Sequence, residues 1–195
     1  KEACDAAGQT LATTFHEMLY RHRTLHSDPH PGNFLFGEDG TVGLLDFGCV
    51  KRFETYFVAN YARIASAAVS GEKENTLEFA RTMGVLEGHD PAAEQVFWDL
   101  CSLMVIPFQA PHYQAGSSED NLQARAQKLV PKMLRHPQIK SPPELIYLNR
   151  TLIGTYAMLR RLHLDTDYGA MFRRYADHAV AVAEGRVEDG QPVSP

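Results

Sequence analysis

The segment from His26 to Gly48, HSDPHPGNFLFGEDGTVGLLDFG, constrains the fold of this chain more than any other stretch. Pro29, Pro31 and Gly32 lie between Asp28 and Asn33. Proline fixes its own φ and biases the residue before it away from helical angles, so this loop is stiff and closed to regular helix. Two short apolar runs follow, residues 34–36 and 41–45, on either side of Gly37-Glu38-Asp39-Gly40, which is the pattern of a β-hairpin. Such a hairpin pairs the start of its first strand with the end of its second. Asn33 and Asp46 are therefore expected at one end of the ribbon with Asp28 held nearby by the loop, a cluster of two carboxylates and one amide.

The remainder reads as helix. Leu11, Phe15, Met18 and Leu19 recur at three- and four-residue steps within 5–23, and Arg21, His22 and Arg23 crowd the last turn, where cations suit the helix dipole. Residues 53–70 present Phe57, Tyr61, Ile64, Ala65 and Ala68 on one face, with Gly71 as the expected C-cap. Residues 75–83 repeat the pattern. Asp90-Pro91 is a cap and first-turn pair for a helix that stops before Pro107. A loop is expected over 109–120, helix over 122–134 in spite of Pro131, the longest helix over 144–164, a last helix over 168–183, and a polar tail over 185–195 that frays. The expected architecture is mainly α with one small β-hairpin, organised as a domain over 1–184 and a flexible tail over 185–195.

A chain of 195 residues can bury a sizeable core without disulfides or a structural metal. A net charge of −5 without a long Lys/Arg run speaks against a nucleic-acid groove. Cys4, Cys49 and Cys101 are odd in number and lack metal-ligand spacing, which fits reduced thiols. No apolar run approaches the roughly 18 residues of a membrane span. The expectation is a cytoplasmic chain, with peripheral membrane contact left open.

Hard oxygens from Asp and Asn suit Mg²⁺, which takes one or two protein carboxylates and completes its shell with water and phosphate oxygens. A lone Asp-Phe-Gly is a weak signal, whereas Asp28-x4-Asn33, a hairpin and then Asp46-Phe47-Gly48 reproduce the order of a phosphotransferase catalytic loop and metal site. The run from His26 to Asn33, with Leu-Leu-Asp46-Phe47-Gly48-Cys-Val, resembles the UbiB or aarF-domain (ADCK-type) atypical protein-kinase-like family. The text around residues 129–136 and the Pro-Pro-Glu144 before the longest helix are similar to that family's helical C-terminal region.

The resemblance implies a protein-kinase-like C-terminal lobe with extra helices. It further implies binding of ATP and Mg²⁺, support of ubiquinone or isoprenoid-lipid metabolism, and lipid or quinone-pathway partners. It assigns Asp28 as the catalytic-loop aspartate and Asn33 and Asp46 as the metal and nucleotide ligands. His26, His30, Phe47 and Gly48 are supporting residues, His30 standing where many kinases place a lysine. Ser27 replaces the arginine that would hold a phosphorylated activation loop, and no Ala-Pro-Glu follows Gly48, both of which favour a small-molecule, lipid or ATPase role over protein phosphorylation. The nucleotide-gripping N-terminal lobe has no counterpart in these residues, so this chain by itself is expected to be inactive. Two other readings fit the same motif: an aminoglycoside- or choline-kinase-like small-molecule phosphotransferase, and a non-catalytic helical interaction module.

Overall fold

The structure is a computed structural model describing residues 1–118 and 120–193; Glu119 of the expected loop and Ser194 and Pro195 of the expected tail lie outside the described residues. The hairpin forms in the expected register. Strands β2 (Phe34–Phe36) and β3 (Val42–Leu44) are antiparallel, with Phe34 opposite Leu44 and Phe36 opposite Val42. Its turn is held by Gly37 N donating to Thr41 O at 2.9 Å and by the Asp39 carboxylate accepting from the Thr41 hydroxyl at 2.7 Å. Gly40 has φ +82°, and a β-carbon there would overlap Ala6, so the turn lies directly on the first helix.

That helix, α1 (Glu2–His16), continues into a π-helical turn over Glu17–Arg21, where His22 N reaches Glu17 O at 3.0 Å. Apolar periodicity foresees the helix but not its change of winding. Two further ladders join the expected hairpin. β1 (Thr24–His26) pairs antiparallel with β4 (Val50–Arg52), and β5 (Tyr113–Gln114) pairs with β6 (Asp165–Thr166). None of these four strands exceeds three residues, too short for an alternating pattern to register.

The helices follow their periodicity: α2 (Thr55–Val69), α3 (Lys73–Thr82), α4 (Pro91–Met104), α6 (Leu122–Met133), α7 (Pro143–Leu162) and α8 (Tyr168–Ala183). Asp90 caps α4 by accepting from Ala92 N at 2.9 Å, and Gly71 after α2 has φ +76°, both as their residue types require. α4 ends before Pro107 as expected, and Pro107 occupies the first turn of a separate short helix, α5 (Ile106–Gln109), where a missing N–H costs nothing.

Three apolar clusters hold these elements. Phe15, Leu19, Leu25, Phe53, Val58, Leu148, Phe172 and Tyr175 join α1, β1, α2, α7 and α8. Leu11, Phe34, Met158, Leu159, Leu164 and Tyr168 bind the hairpin to α1 and the end of α7. Ile64, Leu77, Val85, Leu86 and Phe97 close the α2–α3–α4 corner. Part of the segment expected to fray is anchored: Arg23 donates bidentately to Asp189 at 2.5 and 2.6 Å, and Arg21 donates to Gly190 O at 3.2 Å.

Asp120 carries the polar counterpart of this packing. Its fully buried carboxylate accepts from Tyr156 at 2.6 Å, Tyr113 at 2.9 Å and Gly116 N at 2.7 Å, with Arg160 at 3.0 Å. Replacing it leaves a half-buried guanidinium and two half-buried hydroxyls without their acceptor. Asp120→Ala is expected to lower the free energy of unfolding by about 3 kcal/mol, read from urea denaturation at neutral pH.

Candidate functional site

The site sits where the β1–β4 ladder meets the β2–β3 hairpin. β1 ends at His26, which pairs with Val50, and Ser27 N donates to Cys49 O at 2.7 Å, extending the contact to the next residue. The chain then leaves the ladder through Pro29 and Pro31 into a single 3₁₀ turn, Pro31–Asn33. The expected loop thus contains one short helical turn. A proline is accommodated at its first position, and the His30 ring caps it, Nδ1 accepting from Gly32 N at 3.1 Å. His30 is thereby turned onto its own loop.

This turn aims Asn33 back at Asp28. Asn33 Nδ2 donates to Asp28 Oδ2 at 2.8 Å, and Asn33 O accepts from Leu45 N at 2.8 Å, which fastens the loop to the far strand of the hairpin. The expected register therefore brings Asn33 and Asp46 to one end of the ribbon. The side chains divide differently: Asp28 and Asn33 are in direct contact, while the Asp46 carboxylate accepts from Gly48 N at 3.1 Å and makes no hydrogen bond to either among the described residues.

Asp46 has φ +54°, left-handed backbone for a non-glycine residue, and the bond to Gly48 N is the local compensation that an Asp side chain can supply. His26 holds this turn from below. Its ring is 3% exposed, and Nε2 lies 2.8 Å from Leu45 O and 2.9 Å from Asp46 O. Both partners only accept, so Nε2 carries the proton. Phe34 and Phe47 meet the ring edge-on, with centroids 6.1 and 5.7 Å away, and Phe47 is otherwise 64% exposed. Ser27 is fully buried with its hydroxyl toward Leu25 O at 3.4 Å.

Two residues that sequence reasoning misses come from α7. Arg150 Nη2 donates to Asp28 Oδ1 at 2.9 Å. Gly154 lies so close to the loop that a β-carbon there would overlap the Pro29 ring. The hydrogen bond from Asn33, together with Arg150 and the nearby His30, holds the Asp28 carboxyl below the usual carboxylate range. Lys51 ion-pairs with Glu144 at 3.6 Å and lies over the Tyr147 ring, joining β4 to the start of α7.

The donor set suits a hard cation. Asn33 Nδ2 is committed to Asp28, which leaves Asn33 Oδ1 unpaired, and Asp46 Oδ2 is likewise without a partner among the described residues. These are two hard oxygens on one end of a hairpin, in keeping with the sparse protein coordination of Mg²⁺. Among the described residues no group of three or more His, Cys, Asp or Glu converges on a metal position, so a cage built wholly from such side chains is not present.

Residues 3–80 match the model of the ABC1 atypical kinase-like domain. The chain is 30% identical, over 86% of its length, to an atypical kinase, coq-8, mitochondrial, of Caenorhabditis elegans, of which it covers 23%. It is 32% identical, over 74% of its length, to the mitochondrial atypical kinase COQ8B of Rattus norvegicus, of which it covers 28%. It therefore spans about a quarter of the length of these relatives. The solved structure of Rv3197 with erythromycin from Mycobacterium tuberculosis superposes with a TM-score of 0.69 at 20% identity, covering 92% of this chain and 45% of that one.

The geometry around Asp28 sets a titration order. Its depressed pKa means the contacts stabilise the fold at neutral pH and lose that contribution as pH falls through the Asp28 pKa. In carboxyl-carbon NMR titrations, Asn33→Ala is expected to raise the Asp28 pKa toward the ordinary value, and Arg150→Ala to raise it by less.

Proposed function

We propose that this chain, whose residues 3–80 match the ABC1 atypical kinase-like domain, carries in the cluster at the end of the hairpin the catalytic-loop and metal-binding half of an ATP-dependent phosphotransferase or ATPase site. The observation that carries this reading is the hairpin register. It brings Asn33, already bonded to Asp28, to the same end as the left-handed turn at Asp46, with one oxygen of Asn33 and one of Asp46 unpaired.

In this reading Asp28 is the anionic group that orients, or accepts a proton from, an attacking hydroxyl or water. Asn33 and Arg150 fix its two oxygens and keep it ionised. Asn33 Oδ1 and Asp46 Oδ2 would hold Mg²⁺, which when bound neutralises phosphate charge and aligns the transferred group. The Pro29–Pro31 loop and the His26 contacts keep these atoms from drifting, which matters because such catalysis is chiefly positioning. The buried serine at position 27, where an arginine would hold a phosphorylated activation loop, supports regulation without that ion pair. A role in ubiquinone or related isoprenoid-lipid metabolism, with ATP as the phosphoryl donor, follows from the family resemblance as part of the same proposal.

Mn²⁺ is a usable probe for the cation site. Asp46→Asn is expected to weaken Mn²⁺ binding about tenfold or more, measured by isothermal titration, while His112→Ala leaves it unchanged. In the complete protein the same Asp46→Asn change is expected to abolish Mg-ATP binding. Full nucleotide affinity together with an undiminished ATPase rate in that variant would sink the assignment.

A further inference from the structure

A second site lies inside the helical body. Helices α1, α2, α4, α6 and α7 border a cavity of about 630 Å³ that opens to solvent, far larger than the packing gaps of an ordinary core and within the size range of small-molecule sites. Its wall is overwhelmingly carbon, including Ile64, Phe97, Leu100, Leu145 and Leu152.

Polar groups interrupt this wall, and those of His16, Tyr20 and Tyr61 have an atom without a partner among the described residues. His16 is 6% exposed, and its Nδ1 lies 2.8 Å from Ala12 O, so Nδ1 carries the proton and Nε2 is an acceptor with no hydrogen bond among the described residues. Tyr20, also buried, stacks against His16 with centroids 5.8 Å apart, and its hydroxyl has no partner among the described residues. Tyr61, half-buried, also lines the cavity, and its hydroxyl has no hydrogen-bond partner among the described residues. Buried polar groups are nearly always satisfied, so an unpartnered acceptor beside unpartnered hydroxyls in an otherwise apolar wall marks the place of a missing polar group.

Charge is excluded from the site. Burial lowers the His16 pKa to about 4, so the ring is neutral. The guanidinium at the rim, Arg160, is already taken by Asp120 and Gln123. The outer wall is α6, a helix with no buried residue that turns Leu122, Ala126 and Val130 toward the cavity. A filled cavity would bury that face.

We propose that this cavity binds an uncharged, mainly apolar small molecule carrying one hydroxyl or carbonyl group, which exchanges hydrogen bonds with His16, Tyr20 and Tyr61. The site is separate from the Asp28 cluster and does not depend on the metal or nucleotide assignment.

The test uses the full chain and the fluorescent neutral probe 1-aminoanthracene, displaced by dodecanol, dodecane or dodecanoate. Saturable probe binding is expected, with dodecanol the best competitor and dodecanoate the poorest. Ala126→Trp, which places an indole in the cavity, is expected to weaken dodecanol binding about tenfold with no loss of melting temperature. Ile153→Trp blocks the cavity from α7 at a position 62% exposed, and decides the matter if Ala126→Trp does not fold. Tyr61→Phe is expected to cut the preference for dodecanol over dodecane about fivefold. Absence of saturable probe binding, dodecanoate competing as well as dodecanol, or unchanged affinity in a folded cavity-filling variant would each overturn the proposal.

Discussion

The arrangement depends on one bifurcated hydrogen bond. His26 Nε2–H serves the carbonyls of Leu45 and Asp46 together, at 2.8 and 2.9 Å, and so ties the end of the β1–β4 ladder to the exit of the β2–β3 hairpin. Two ribbons of three-residue strands have little stability of their own. Joined through a buried imidazole they become one platform, and the left-handed turn at Asp46 is held where its backbone alone would not choose to be. The remaining ring nitrogen of His26 is buried and unpartnered, a cost accepted for fixing which nitrogen bears the proton.

Helix α7 supplies the second support. One face buries Leu148, Thr151, Thr155, Met158 and Leu159, which fixes the rotation of the helix. With that rotation fixed, Arg150 must reach Asp28 and Gly154 must lie against Pro29. Further along, Tyr156 and Arg160 converge on Asp120 and secure the opposite end. A single rigid helix thus transmits the positions of the core to a loop that has few buried contacts of its own.

The sequence makes the inner part of this arrangement legible. The two runs around Gly37–Gly40 specify a hairpin and its register, and the five-residue step from Asp28 to Asn33 across two prolines specifies a loop that turns back on itself. Arg150 is not legible, because it lies 122 residues from Asp28 on the exposed side of an amphipathic helix, where an arginine carries no local signal. Gly154 reads only as a weak point in that helix until the approach of Pro29 explains it. The ladders β1–β4 and β5–β6 are too short to announce themselves, and the segment over 122–134 reads from sequence only as helix, with nothing to show that Leu122, Ala126 and Val130 of α6 line a cavity.

The hairpin turn also acts as a ruler. Gly40 is pressed onto Ala6, so the turn cannot bulge toward α1, and every residue between Phe36 and Val42 contributes to the registry of the two strands. Strand side chains alternate between faces, so one residue gained or lost here would turn Phe34 out of the core and carry Asn33 and Asp46 to opposite faces of the ribbon. Insertions and deletions are therefore far less tolerable in this surface turn than its polar composition suggests, and its length should drift more slowly through descent than its residue identities.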